Sequence, residues 1–559
     1  MYMRSTPRRN KDGTEVRYLQ LAHNVWDPAA KRSKVQVVCN FGREDAASRE
    51  ALQRLVASVT RHLDPGKARG AAEGLEFAES RPLGGTWVLD VLWARLGIGP
   101  AMRRLLKGRR LDGSAERVLF ALTANRALAP SSKLAAARWA GEDVLIAGLA
   151  RTTDDACYRA MDWLLEISGA LEKEIFGRAA EVLGLEIDLL FFDTTSTYFQ
   201  TEEADEPVAR DEHGRTAGDG RTAGFRAFGH SKDHRDDLPQ VVIGMAVTRD
   251  GIPVRVWCWP GNTADSALIR QVKDDMRHWS LSKVIWVADR GFTSAENRRY
   301  LRRGGTHYII GEKLRSGSAE AGAALSRQGR YKDIAGNLKV KEVRIAEDER
   351  FVICHNPEAA ERDAATRARL ITQLKELIDG SDRLSRDKRA ELRGVISTKP
   401  GLNRYLRVTP GGLLRIDASR AKAEENLDGK YLLRTSDPAM TSEDIALGYK
   451  QLLQVERGWR DMKQVIDLRP VYHRKEERIR AHIILCWLAL LLARTAENAC
   501  GITWPELRRE LSRIAVGTFT GPAGTFRQRT EITGAQADIL AKLAVDPPPK
   551  IYQLTPASP

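Results

Sequence analysis

The sequence predicts a mixed α/β core, preceded by a mainly helical region and interrupted by a long insertion. Three observations predict it. Two short apolar runs, Glu186–Asp193 (EIDLLFFD) and Lys283–Asp289 (KVIWVAD), each end in an aspartate. Between them, Val241–Val247 and Ile252–Trp259 are β-rich and flank Arg249-Asp250-Gly251, and Asp-Gly between such runs signals a hairpin. Apolar residues spaced three and four apart through 70–183 signal helices instead.

Taken in order, residues 1–65 form a small β-containing module, with Tyr18–Val25 and Lys34–Cys39 around a polar turn at Asp27-Pro28. Residues 66–185 are helical, over Trp87–Leu96, Ala101–Leu106, Ala115–Leu128 and Ser132–Trp139. Pro130-Ser131-Ser132 breaks and recaps the last two. Such a pair fits a helix-turn-helix and an ordinary bundle alike. Residues 186–311 supply a strand, the hairpin, an amphipathic helix Ala264–Trp279, a strand, a helix Thr293–Arg303 and a strand Thr306–Gly311. Thr293-Ser294-Ala295-Glu296 has the capping-box pattern. This order fits an RNase H-like core, in which the first and fourth strands lie side by side and their terminal acids face each other. Residues 312–428 lose that order and are expected to be an inserted subdomain: Val340–Cys354 is β-rich, Glu358–Val395 helical and highly charged, Tyr405–Ile416 β-rich. Residues 429–500 resume the core with a strand at Tyr431–Thr435, one long helix over 442–463 and another over 476–498. Residues 501–559 are expected to be a C-terminal helical region with a Pro-rich, poorly packed tail.

The bulk numbers bound the function. The chain has 559 residues, 42% hydrophobic and 29% charged, a globular composition of two to four domains rather than a disordered one. Lys and Arg number 89 against 74 Asp and Glu, and the resulting charge of +15 favours a polyanionic partner. The six cysteines form no C-x-x-C pair, which excludes a zinc ribbon and a disulfide-stapled secreted domain. His482 and Cys486 read as core residues. The apolar run Ile483–Ala493 is far short of the ~20 residues of a membrane helix, so no membrane partner is expected. No Walker-type loop occurs, so no nucleotide cofactor is expected.

Asp193 and Asp289 carry the chemistry. An ionised acid at the mouth of a buried strand needs a partner. For Asp193 the partner can be a cation or the hydroxyls of Thr194–Thr197; it equally fits a cap on the next turn. Asp289 can pair with Arg290. Two such acids on neighbouring strands repel each other, and a divalent ion relieves that. On the 442–463 helix, Tyr449, Glu456 and Lys463 stand seven apart and share one face, which on spacing alone also fits a solvated charged surface. His230, Lys232, His234 and Arg235 make a basic cluster suited equally to DNA or to solvent.

The pattern Y-x-x-L-x-x-x-E-x-x-x-x-x-x-K at Tyr449–Lys463 resembles the Tyr/Arg/Glu/Lys signature of DDE transposases from bacterial insertion sequences, in the hairpin-forming cut-and-paste group. FFDTTSTYF, VADRGF, GHSKDHRDDLPQ, PGNTADS, LDGKYLLRT and RPVYHRKEERIRAHIILCWLAL are similar to that family's other motifs. The resemblance implies that Asp193, Asp289 and Glu456 are catalytic and hold Mg²⁺ or Mn²⁺, two ions in all. Tyr449 and Lys463 would contact DNA, with His230, Lys232 and Arg290 as further contacts. It implies double-stranded DNA partners (terminal inverted repeats and target), a homodimer on DNA, DNA-end binding by residues 66–185, and a cytoplasmic protein on the bacterial nucleoid. A nuclease that cuts without joining, or a catalytically silent DNA-binding protein, are the competing readings. Leu452 stands at the signature's arginine position, so that phosphate contact is not carried over.

Overall fold

A computed structural model describes residues 2–10, 15–27, 32–44, 52, 55–56, 59, 76–107, 114–149, 151–185, 187–211, 214–217, 221–279, 284–315, 317–334, 337–346, 349–521 and 524–556. Glu186 and Lys283, which open the two apolar runs, and Pro28 of the first turn lie outside them. The chain divides into two compact units, Met1–Met161 with Leu492–Pro559, and Asp162–Leu491.

In the first unit, Tyr2–Arg9, Glu15–Asp27 and Arg32–Arg43 form an antiparallel three-stranded sheet, as the β-prone runs predict. Helices follow at Gly84–Arg95, Ile98–Leu105, Ala115–Leu128 and Lys133–Arg138. Ser132 caps the last by accepting from the Ala135 amide, so the expected break and recap is present. Two expectations are corrected. The helical stretch opens with a strand, Glu76–Pro82, and the C-terminal region is not simply helical. It holds helices Trp504–Ser512 and Gly534–Lys542 and strands Ala515–Gly521, Gly524–Arg529 and Ile551–Pro556. These strands and Glu76–Pro82 make one four-stranded sheet. The Pro-rich tail is anchored rather than loose: Arg529 Nε donates to the Pro548 carbonyl at 2.6 Å, and the last strand pairs beyond it.

The second unit is built on a nine-stranded mixed sheet. Its strands are β1 (Leu189–Tyr198), β2 (Gln240–Val247), β3 (Pro253–Pro260), β4 (Ile285–Ala288), β5 (His307–Glu312), β6 (Lys332–Ile334), β7 (Leu338–Ala346), β8 (Glu349–His355) and β9 (Lys430–Thr435). Their order across the sheet is β6-β7-β8-β9-β5-β4-β1-β2-β3. The expected adjacency is therefore observed: the first and fourth strands pair, in parallel, and β5 continues in parallel beside β4. β1 to β3 form the antiparallel meander. One face is covered by α1 (Asp265–Asp275) and Ala295–Leu301 over a core that includes Leu190, Phe192, Trp257, Trp259, Ile269 and Trp286. Ser294 alone caps the second helix, accepting from the Asn297 amide, in place of the expected capping box.

The insertion is only partly a subdomain. Pro357–Ile378, Arg386–Ser397 and the small hairpin Leu406–Val408 with Leu414–Ile416 pack on a separate core around Leu374, Ile396 and Tyr405. But β6 to β8 join the main sheet through β9. At that junction Glu312 on β5 and Arg434 on β9, both buried, pair at 3.2 Å, and the guanidinium lies over the Phe351 ring of β8. His482 and Cys486 are buried, as expected of core residues. Their helix, Glu476–Cys500, is long and apolar enough to cross a membrane, with 94% of its apolar window buried inside the protein. That burial marks a core helix.

Candidate active site

Strand register sets the first two acids side by side. β1 pairs with β4 from Leu189↔Ile285 to Phe192↔Ala288, and the next residues in register are Asp193 and Asp289. β4 stops there. β1 does not, contrary to the expectation that Asp193 ends its strand. Thr194–Tyr198 stay paired with β2, because this hydroxyl-rich, β-prone run is buried. Asp193 is thus a half-buried mid-strand acid, one residue beyond the last pair with β4. Burial pushes its carboxyl up to about 6; Lys232 and the Thr194 amide oppose this, and the charges of Asp289 and Asp265 add to it.

Asp289 precedes a short 3₁₀ turn, Arg290–Phe292, but does not cap it with its side chain. It accepts instead from Tyr449 Oη at 3.3 Å. Burial and the Asp289 charge raise the Tyr449 phenol, which therefore stays a donor. Gly311 on β5 permits this approach, since a Cβ there would meet Tyr449 Oη at 2.4 Å. Arg290 is exposed and forms no ion pair with Asp289.

The third acid is carried differently from expectation. The single helix over 442–463 is two, α2 (Ser442–Lys450) and α3 (Leu453–Gln464). Tight i→i+3 bonds separate them: the amides of Gln451, Leu452 and Gln454 donate to the carbonyls of Gly448, Tyr449 and Gln451. Tyr449 and Glu456 therefore do not share one continuous helical face; only Glu456 and Lys463 do. Leu452, at the break, is buried and offers no charge. Tyr449 and Glu456 nevertheless line the same groove as Asp289, a concavity of about 890 Å³. Arg290, Lys313, Arg315, Lys430 and Lys450 also line it, so its walls are basic around the acids. Glu456 is exposed.

Lys232 reaches the acids from the 229–237 loop. Its ammonium donates to the carbonyl and hydroxyl of Thr194, both at 2.6 Å, and lies 3.1 Å from Asp265 and 3.9 Å from Asp193. Lys463 is not free: it is held by both Asp233 oxygens, at 2.9 and 3.2 Å, with Arg469 on the same carboxylate. Burial lowers its ammonium's pKa, against the pull of Asp233. His230 is exposed, and Arg235 pairs with Asp237. Sequence reasoning missed Asp265 and Asp233. Both lie in motifs already singled out, PGNTADS and GHSKDHRDDLPQ, where each is an acid near a basic loop.

Among the described residues, no three His, Cys, Asp or Glu side chains stand close enough to hold a metal ion. The donor chemistry nonetheless suits a hard divalent cation. Two carboxylates are adjacent, one of them driven up by burial and by the other's charge, and Glu456 lines the groove with Asp289.

Residues 201–492 match the transposase DDE domain, and residues 3–71 match the IS1634 family transposase N-terminal domain. The first match spans more than half of the chain, so the chain belongs to the DDE-domain transposases. The second match places it among insertion-sequence transposases. Asp289 and Glu456 lie inside the DDE match; Asp193 lies just before its start. A comparison with curated proteins gives no match. Among solved structures, a cryo-EM structure of the piggyBac transposase synaptic complex with hairpin DNA is similar over 77% of this chain and 78% of that chain, at 11% identity and a TM-score of 0.35.

Proposed function

We propose that this transposase cleaves DNA at the ends of its insertion sequence and joins the freed ends to target DNA, on an RNase H-like core. Asp193, Asp289 and Glu456 would hold two Mg²⁺ or Mn²⁺ ions. The observation that carries this reading is the basic groove shared by Asp289, Tyr449 and Glu456, with Asp193 beside Asp289 in strand register. Bound ions would stabilise charge on the attacking and leaving oxygens of an in-line phosphoryl displacement. The chain's own groups do the rest. Tyr449 orients the Asp289 carboxylate through its hydroxyl. Arg290, Lys313 and Lys450 neutralise backbone phosphates along the groove. Lys232 places a positive charge beside Asp193. His230 and Lys463 are the remaining candidate DNA contacts, Lys463 offering a phosphate an N–H while Asp233 still holds its ammonium. In cleavage, water attacks phosphorus and the bond to the 3′ oxygen breaks, leaving a 3′-hydroxyl. In joining, that hydroxyl attacks a phosphodiester of the second strand or the target; its oxygen bonds to phosphorus as the bond to the attacked strand's 3′ oxygen breaks, and that oxygen leaves as a new 3′-hydroxyl. Two element ends must be brought together, which calls for a homodimer on double-stranded DNA.

The test uses purified full-length protein, MgCl₂, and a duplex carrying the sequences that flank the gene, with a plasmid as target. Metal-dependent nicking and end insertion are expected. Asp193→Asn, Asp289→Asn and Glu456→Gln should each lower cleavage by at least about 10³-fold while DNA binding persists. Binding should fall steeply with salt. Unchanged cleavage in all three variants would overturn the assignment; cutting without insertion would point to a nuclease, and binding without cutting to a silent DNA-binding protein.

A further inference from the structure

Two neighbouring residues of the 229–237 loop grip opposite sides of the site. Lys232 is fastened to β1: its amide donates to Ser196 Oγ at 2.9 Å and its ammonium to Thr194. Asp233 is fastened to α3 and the segment after it, through Lys463 and Arg469. The loop is itself tied, since the Ser231 amide donates to Asp236 at 2.6 Å. The Lys463–Asp233 pair is shielded, with side chains only 13% and 18% exposed, so it is not an ordinary surface bridge.

α3 is also seated on the sheet by its buried face, Val455, Trp459 and Met462. Gly458 lets it sit against β2, where a Cβ would meet Met245 Cε at 2.7 Å, and Met245 is the register partner of Asp193. That contact fixes how near the helix lies to the sheet. The C-terminal end of α3, at Lys463, is held in addition from the 229–237 loop by Asp233. Lys463 stands two turns beyond Glu456 on the same face of α3, so a shift of the helix that moves one position moves the other with it.

We propose that Asp233 is a positioning residue for the catalytic carboxylates. By holding Lys463 and Arg469 while Lys232 holds β1, it sets the direction in which Glu456 faces Asp193 and Asp289. This rests on the functional reading above. It assigns Lys463 a role besides any phosphate contact, one that it keeps when DNA is bound.

The test compares full-length wild type, Asp233→Asn and Asp233→Glu in MgCl₂-dependent cleavage of the flanking-sequence duplex, with DNA affinity and melting temperature measured in parallel. Displacing a catalytic group by about 1 Å costs on the order of 100-fold in rate. Asp233→Asn should therefore lower kcat about 100-fold, with DNA affinity within about threefold of wild type. Asp233→Glu restores the charge at a longer reach and should sit about tenfold below wild type; it carries the test alone if Asp233→Asn melts early. Wild-type kcat in either variant, or a loss confined to DNA affinity, overturns the proposal alone. Cleavage that survives Asp193→Asn overturns the functional reading, and this proposal with it.

Discussion

Neutralising Asp193 should stabilise the metal-free protein while abolishing its chemistry. The carboxyl is raised from an unfolded value near 3.8 to about 6. The folded state therefore keeps its proton longer than the unfolded state, and folding weakens as pH rises through that window. Below about pH 4 the group costs nothing, and above about pH 6 the cost is complete. At 1.36 kcal/mol per unit of pKa the penalty is about 3 kcal/mol at pH 7–8. Asp193→Asn removes it. For the roughly 330-residue unit that holds the site, this corresponds to a rise of about 4 °C in Tm. Thermal melts of wild type and variant between pH 4 and pH 8 test it, with and without MgCl₂. The gain should vanish by pH 4, and MgCl₂ should stabilise wild type more than the variant. A gain independent of pH, or no gain at pH 8, would refute the reasoning that the unneutralised carboxylate is held there at a cost.

Other perturbations follow from the same geometry. Glu312→Gln removes the charge that faces both Arg434, at 3.2 Å, and Arg298, at 3.8 Å, in a buried setting and should cost about 3–5 kcal/mol in urea unfolding; an unchanged midpoint would show that Glu320, 3.9 Å from Arg434, suffices. Tyr449→Phe removes the hydroxyl that α2 donates to Asp289; cleavage should fall about tenfold with Tm nearly unchanged, and full activity would show that the bond is incidental. Gly458→Ala meets only the free end of the Met245 side chain, which can turn aside, and replaces a mid-helix glycine, so the urea midpoint should hold or rise, by up to about 1 kcal/mol in stability; a clear fall would show that Met245 is pinned.

How legible this was in the sequence depended on the range of the interactions. The pairing of β1 with β4 followed from the order of strands, and with it the meeting of Asp193 and Asp289. Residues 312–428 were visible as an interruption. That β6 to β8 extend the main sheet was not, because β8 finds β9 across a long stretch of intervening chain and no local pattern encodes the partner. The final strand was hidden for the same reason. The break at Gln451-Leu452 was masked because apolar residues continue at helical spacing across it. Asp233 and Asp265 looked like ordinary polar residues of a loop and a helix start until the fold set each against a lysine.

The seam between β5 and β9 bears on how far this enzyme can be shortened. A truncation that excised 312–428 to leave a minimal nuclease would strip β9 of one of its two ladders and uncover a row of unsatisfied amides and carbonyls. It would also delete Lys313 and Arg315 from the groove wall and Glu312 from its guanidinium partner. A miniaturised version must therefore keep β7 and β8 and trim only the helical lobe that hangs beyond them.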